Sequence, residues 1–152
     1  MSDEIDRLAL ANQICFAAYS ASHAFARRYK PLLAVLGVTY PQYLCLLVLW
    51  ERDGLSVKEI GQRLLLDSGT LTPLLKRLEA IGLLVRRRDR ADERVVRISL
   101  TERGRALRAT AEAIPPAVMQ ATGCSVAELG ALRDGLLALR DNLLAEVEDE
   151  AG

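Results

Sequence analysis

The stretch Leu66-Asp67-Ser68-Gly69-Thr70-Leu71-Thr72-Pro73-Leu74-Leu75-Lys76-Arg77-Leu78-Glu79-Ala80-Ile81-Gly82 decides the fold. Leu71, Leu74, Leu75 and Leu78 recur at the i, i+3, i+4, i+7 spacing of a helix with one buried stripe, and Gly82 supplies a left-handed stop just past Ile81. The opposite face collects Ser68, Thr70, Thr72, Lys76 and Arg77 and lacks large apolar groups, which suits a DNA groove. Pro73 removes a backbone donor, so the helix begins close to Ser68 or kinks at its first turn.

An ordinary amphipathic helix with a solvated polar side has the same pattern, so the flanks decide between the two. Before it, Ser56-Val57-Lys58-Glu59 reads as a capping box, and Ile60, Leu64 and Leu65 form the stripe of a short helix ending near Leu65. Two short helices with a tight turn between them predict a helix-turn-helix. After it, Leu83 to Arg88 and Val95 to Leu100 read as strands around the polar tip Asp89-Arg90-Ala91-Asp92-Glu93. Helix, turn, helix and hairpin make a winged helix over residues 37–101, in a mainly α chain whose only β structure is a small wing.

The formal net charge is zero, which by itself argues against a nucleic-acid partner. The average hides an asymmetry. Between Ser56 and Thr101 there are ten Lys or Arg against six Asp or Glu, and from Ala127 to Gly152 two against seven. Arg86, Arg87, Arg88, Arg90, Arg94 and Arg97 lie in or beside the hairpin, where they can pair with phosphates, and a tip arginine can enter the minor groove. A charge run is also what plain solvated surface looks like, and Arg77 can equally pair with Asp67. Beside the two helices, the cluster points to double-stranded DNA.

From Asp3 to Arg28 the chain has no proline or glycine and is rich in Ala, which predicts one long helix from about Asp3 or Glu4 to Tyr29 or Lys30. Such a start leaves Cys15 in mid-helix, without help from a helix dipole. Cys15 and Tyr19 share a face, and Tyr29 lies on it too, but about 21 Å further along the axis. Within one straight helix Cys15 and Tyr29 cannot touch; if they meet, a second chain brings the tyrosine. Pro31 bends or ends the helix and Gly37 marks a break. Thr39-Tyr40-Pro41 opens a second helix running to about Glu51, apolar nearly all round and therefore core, with Cys45 a small buried residue. Gly54 closes it, and Leu55 is a candidate strand against the wing.

Past the wing, Thr101-Glu102-Arg103-Gly104 starts another helix, interrupted by Pro115-Pro116 and ending near Gly123. Ser125-Val126-Ala127-Glu128 is a second capping box, opening a last helix striped by Leu129, Leu132, Leu136, Leu139, Leu143 and Val147. The terminal regions, 1–36 and 102–152, carry more apolar surface than a winged helix covers. A homodimer uses that surface; packing of the termini within one chain is the alternative. At 152 residues the chain suits one domain, 1–152.

No apolar run is long enough for a membrane span or flanked like a signal peptide. The three cysteines, Cys15, Cys45 and Cys124, fit neither a disulfide framework nor zinc spacing. The expectation is a cytoplasmic protein with reduced thiols and no metal or cofactor.

These residues resemble the MarR-type transcriptional regulators: the helix-turn-helix, a wing carrying Asp92-Glu93-Arg94 followed by Val95 to Thr101, and helices at both ends that form a dimer. More closely the chain is similar to the organic hydroperoxide-sensing repressors of that family, the OhrR branch, through Asn12 to Ser22, Tyr29-Lys30-Pro31-Leu32-Leu33, Thr39 to Leu44, and Leu66 to Glu79. The resemblance implies that Cys15 is the sensing thiol, hydrogen-bonded when reduced to Tyr29 and Tyr40 of the partner subunit, with Tyr19 lining the pocket. It implies that Cys124 is the resolving cysteine of a disulfide across the dimer, and that the dimer represses at a pseudo-palindromic operator until an organic hydroperoxide oxidises Cys15. Ser68, Thr70, Thr72, Lys76, Arg77, Arg86, Arg88, Arg90 and Arg94 are the candidate DNA contacts.

Inert thiols at Cys15 and Cys124 are the plain alternative reading. Two further functions compete: a regulator whose dimer pocket binds a small aromatic ligand, and a thiol peroxidase. Against the enzyme, no charged residue stands near Cys15, no Ser, His and Asp constellation exists, and His23 is the lone histidine.

Overall fold

The computed structural model describes residues 6–151, with side chains as far as Val147. The coordinates divide into two units, Met1–Ile114 and Pro115–Gly152.

At the centre of the first unit is helix α2, Tyr40–Glu51. Thr39 caps it by a full capping box: the Thr39 side chain accepts from the Gln42 amide, and the Gln42 side chain accepts from the Thr39 amide at 2.9 Å. Pro41 stands in the first turn, where its missing N–H costs nothing. Tyr43, Cys45, Leu46, Val48 and Leu49 are buried, as an all-round apolar helix requires. Against it pack α1 (Ile14–Ala34), α3 (Val57–Leu64), α4 (Ser68–Ala80) and α5 (Glu102–Ala111). The Trp50 indole N–H donates to the Gly104 carbonyl of α5 at 2.9 Å.

Three strands form one antiparallel sheet in the order β1-β3-β2: Leu55–Ser56, Val96–Leu100 and Leu84–Arg88. Leu55 pairs with Ile98, and Leu84 with Leu100. Leu55, Leu84, Ile98 and Leu100 point into the core.

The first helix departs from the sequence expectation. A start at Asp3 or Glu4 falls outside the described residues, but no continuous helix crosses residues 6–13: a single 3₁₀ turn, Leu10–Asn12, is followed by extended Gln13, and α1 begins at Ile14. The cause is local competition for backbone groups. Gln13 Nε2 donates to the Arg7 carbonyl at 2.6 Å, Asn12 Nδ2 donates to the Asp6 carbonyl at 2.8 Å, and the Asp6 carboxylate accepts from the Leu8 backbone amide at 3.0 Å. Cys15 is therefore in the first turn of α1, not in mid-helix. At the other end α1 runs through Pro31 to Ala34. Pro31 is exposed, so the carbonyl it leaves without an amide is open to water, while Leu33 on the buried side holds the last turn.

In the second unit, Pro115 and Pro116 sit in the first turn of α6, Ile114–Thr122, and α5 ends before them. Helix α7, Val126–Ala151, opens on the expected capping box: Ser125 Oγ accepts from the Glu128 amide and Glu128 accepts from the Ser125 amide. Along α7, Leu132, Leu136, Leu139, Leu143 and Val147 are exposed.

Candidate nucleic-acid interface and thiol site

Ser56 Oγ accepts from the Glu59 amide at 3.1 Å while Glu59 accepts from the Ser56 amide at 2.7 Å, and that amide bond holds the Glu59 carboxyl below the ordinary glutamate value. The helix α3 thus started ends at Leu65, whose φ of 55° is left-handed. Gly61 allows the turn to close: a Cβ there would stand 2.7 Å from the Leu66 carbonyl oxygen. Asp67 then caps α4, accepting from the Thr70 amide at 2.7 Å, and this bond keeps its carboxyl low. Asp67 is thereby used as a cap, and no Arg77–Asp67 ion pair forms among the described residues.

Leu71, Leu75 and Leu78 are fully buried, and Leu74 half so. Ser68, Thr70, Lys76 and Arg77 are exposed on the other side and Thr72 is half-buried. At the far end the Gly82 amide donates to Glu79 and the Leu83 amide to Leu78, the paired bonds of a Schellman stop, with Gly82 at φ 79°. Between α3, the start of α4 and the hairpin lies an open concavity of about 770 Å³, whose walls include Lys58, Gln62, Ser68, Thr72 and Arg94. Lys58 and Gln62 are additions to the candidates; as polar positions on α3 they look like any solvated face in the sequence.

The hairpin arginines differ in their freedom. Arg86 is committed: its Nε donates to Glu79 at 2.8 Å and its amide donates to the same carboxylate at 2.9 Å, keeping Glu79 low. Arg88 is exposed and donates to the Glu93 carbonyl at 3.2 Å. Arg90 is exposed at the tip. Arg94, its side chain 90% exposed, is forked onto Asp92 by two bonds of 3.0 Å. At the base, Thr101 and Arg103 of the α5 start take up the Ile81, Gly82 and Leu83 carbonyls, through Arg103 Nη1, Thr101 Oγ1 and the Thr101 amide. Gly104 lies so close that a Cβ would be 2.0 Å from the Leu83 oxygen.

The candidate thiol site is split within one chain. Cys15 is exposed in the first turn of α1, at the electropositive end of the helix, where anions are favoured. Tyr19 is also exposed and stacks on His23 with centroids 4.3 Å apart. Tyr29 and Tyr40, from α1 and α2, lie together at 4.7 Å, with Tyr43 5.9 Å from Tyr29. Burial and the neighbouring phenols push Tyr29 up to about 12, and burial raises Tyr40 and Tyr43. These phenols stay protonated donors throughout the neutral range. Tyr43, read from the sequence only as core, completes the aromatic cluster. Cys45 is buried, which pushes its thiol up to about 11. Cys124, half-buried before α7, directs its Sγ to the Thr122 carbonyl at 3.6 Å. Among the described residues, no group of three or more potential metal ligands occurs and no helix is long and apolar enough to cross a membrane.

The sequence profile of the transcriptional regulator SarA/Rot family matches residues 27–110. The HTH-type transcriptional regulator TtmR of Methylorubrum extorquens is 58% identical over 92% of this chain and 72% of its own. The organic hydroperoxide resistance transcriptional regulator of Bacillus subtilis is 47% identical over 94% of this chain and 97% of its own. Among solved structures, reduced AbfR bound to DNA is 39% identical, covering 89% of this chain and 94% of that one, with a TM-score of 0.74. AbfR has also been solved overoxidized on DNA and in a disulfide-formed state, at TM-scores of 0.72 and 0.62. With its helix-turn-helix, wing and capped recognition helix in place, this chain belongs to the SarA/Rot family of MarR-like, DNA-binding winged-helix transcriptional regulators.

Proposed function

We propose that this regulator is a homodimeric repressor that senses organic hydroperoxides through Cys15. One observation carries the reading. The exposed thiol in the first turn of α1 stands about 14 residues, or 21 Å, from a phenol pair that the same chain has already assembled at Tyr29 and Tyr40. A second copy running antiparallel brings Tyr29 and Tyr40 of the partner subunit to Cys15 and Tyr19, while the exposed leucines of α7 supply further apolar surface for a dimer. The whole chain, 1–152, then acts as one MarR-type domain, and the dimer presents two recognition helices about 34 to 36 Å apart to a pseudo-palindromic operator. Ser68, Thr70, Thr72, Lys76, Arg77, Arg88, Arg90 and Arg94 are the contacts to bases and phosphates, and Arg86 contributes only by fixing the hairpin on Glu79.

The chemistry follows the thiolate. Its sulfur attacks the terminal oxygen of ROOH, the O–O bond breaks as a sulfenic acid forms, and the departing alkoxide takes a proton from water to leave as ROH. Condensation with the thiol of Cys124 of the partner subunit gives a disulfide and water. A disulfide constrains its α-carbons to within roughly 7 Å, so unless Cys15 and Cys124 of the partner subunit already lie that close, closing it moves the helices that carry the DNA-reading units. The similarity to a hydroperoxide resistance regulator and to a protein solved in reduced DNA-bound and disulfide-formed states supports this order of events. That AbfR was also solved overoxidized on DNA favours the disulfide, more than oxidation as such, as the releasing step.

The test is DNA binding by the wild type, Cys15→Ser and Cys124→Ser before and after cumene hydroperoxide, using a duplex selected from random sequence by the reduced protein. The wild type lets go, Cys15→Ser stays bound, and Cys124→Ser, unable to close the disulfide, stays bound. Release of Cys15→Ser by peroxide overturns the reading. Release of that variant by an aromatic carboxylate instead identifies a ligand-responsive regulator, and sustained peroxide turnover with a thiol reductant identifies a peroxidase.

A further inference from the structure

Among the wing arginines, Arg97 has the most partners and the least obvious use. It sits in β3, the middle strand, opposite Ser56 of β1 on one side and Arg87 of β2 on the other. Directly opposed like charges destabilise a sheet, so Arg97 and Arg87 need a nearby carboxylate. Asp89 supplies it: its carboxylate accepts from Arg97 Nε and, at 2.7 Å and 3.3 Å, from the Ala91 and Asp92 amides that turn the hairpin tip. The other end of the Arg97 fork reaches away from the hairpin. Its Nη1 donates to the Gly54 carbonyl at 3.2 Å and lies 3.8 Å from the Glu59 carboxylate in the capping box of α3. One guanidinium thus ties the tip of the wing to the start of the helix-turn-helix.

We propose that Arg97 is a positioning residue for DNA binding: held between Asp89, the Gly54 carbonyl and Glu59, it fixes the angle at which the tip carrying Arg90 and Arg94 leaves the helix-turn-helix. The geometry requires the planar fork of arginine, because the partners lie in three different elements and a single ammonium cannot span them. A two-stranded ribbon fastened only at its base swings about that base, and contacts at its tip lose the benefit of being placed in advance. This inference rests on the reading that the wing tip touches DNA.

The test is a double-mutant cycle read by fluorescence anisotropy on the selected duplex described above, with thermal melting as the check on folding. Arg94→Ala is expected to weaken binding about tenfold and to lower the salt slope by about one. Arg97→Ala has a similar effect, although the residue it removes does not touch DNA. The Arg94→Ala/Arg97→Ala double variant is no more than about twofold weaker than Arg97→Ala alone, because losing the placement of the tip already forfeits the Arg94 contact. Arg97→Lys keeps the charge and does not restore binding. Asp89→Asn, which keeps an acceptor for the tip amides but loses the ion pair, reproduces the loss and serves if Arg97→Ala does not fold. Multiplying losses in the double variant, or recovery by Arg97→Lys, overturns the inference and makes Arg97 a direct phosphate contact. Wild-type binding by both Arg97→Ala and Asp89→Asn, with Arg94→Ala still weakened, overturns it while leaving the wing reading intact. Wild-type binding by Arg90→Ala and Arg94→Ala removes the wing reading and the inference with it.

Discussion

Tyr29 of α1 and Tyr40 at the start of α2 lie with ring centroids 4.7 Å apart and planes tilted by 43°. Burial, then the charges of Tyr40 and Tyr43, set the Tyr29 phenol at about 12. Tyr40→Phe keeps the burial and removes one charge, so the Tyr29 titration followed by ring NMR moves down towards the ordinary tyrosine value without reaching it. The linkage has a definite sign. A phenol raised on folding contributes stability that is whole below pH 10 and is lost as pH rises through about 12. The fall in urea midpoint across that window is therefore smaller in Tyr29→Phe than in the wild type.

The chain sorts its thiols by place. Cys45 is buried in α2 with its thiol pushed up to about 11, whereas Cys15 is exposed at the start of α1. Brief treatment of the reduced protein with iodoacetamide near neutral pH, followed by peptide mass spectrometry, labels Cys45 only after unfolding. Modification of Cys45 in the native protein at a rate matching that of the unfolded chain contradicts its placement.

Gly104→Ala places a Cβ 2.0 Å from a backbone oxygen, a clash that no side-chain rotation relieves. The expected cost is about 3 kcal/mol or more, seen as a lower urea midpoint with an unchanged slope. Ser56→Ala, which removes only the side-chain half of a capping box, costs about 1 kcal/mol by the same measurement.

The Glu79–Arg86 pair couples the recognition helix to the wing. Because bonds from the Arg86 amide and guanidinium hold Glu79 below its ordinary value, its contribution is complete above that value and fades as pH falls below it. Glu79→Gln is less stable than the wild type at pH 7, and the difference narrows on acidification. A gap independent of pH indicates packing in place of charge.

The exposed stripe of α7 predicts its own test. Leu136→Arg puts a charge into the middle of Leu132, Leu136, Leu139 and Leu143, all exposed in the isolated chain. In the proposed dimer this stripe is interface, so sedimentation of this variant shows a monomer, and its affinity for the selected duplex drops more than tenfold as two linked half-site contacts become one.

The winged helix is legible in the sequence because its signals are local. Ser56 with Glu59, the leucines of α4 and Gly82 each fix a boundary within a few residues, and the structure places those boundaries where the pattern puts them, whereas Asp67, read as a possible partner of Arg77, is instead the cap of α4. What is not legible depends on bonds that composition hides. An Ala-rich segment predicts helix, yet Asp6, Asn12 and Gln13 spend their side chains on nearby backbone and break it before Ile14. A proline predicts an end, yet Pro31 is carried on an exposed side. Arg86 looks like every other wing arginine until the turn after α4 folds Glu79 against it, seven residues away. Tyr43 reads as core because the crossing of α1 and α2 that brings Tyr29 beside it is tertiary information.

Three consecutive carbonyls, those of Ile81, Gly82 and Leu83, are taken by Thr101 and Arg103, with Gly104 pressed against the last. This joint welds the exit of α4 to the entry of α5 and leaves the loop beyond Asp89 out of the weld. Grafting a longer or shorter tip from a related regulator between Asp89 and Val96, with Asp89 kept for Arg97, should therefore retune operator preference without retooling the machine behind it, whereas a one-residue insertion between Ile81 and Leu84 would unhitch reader from driver.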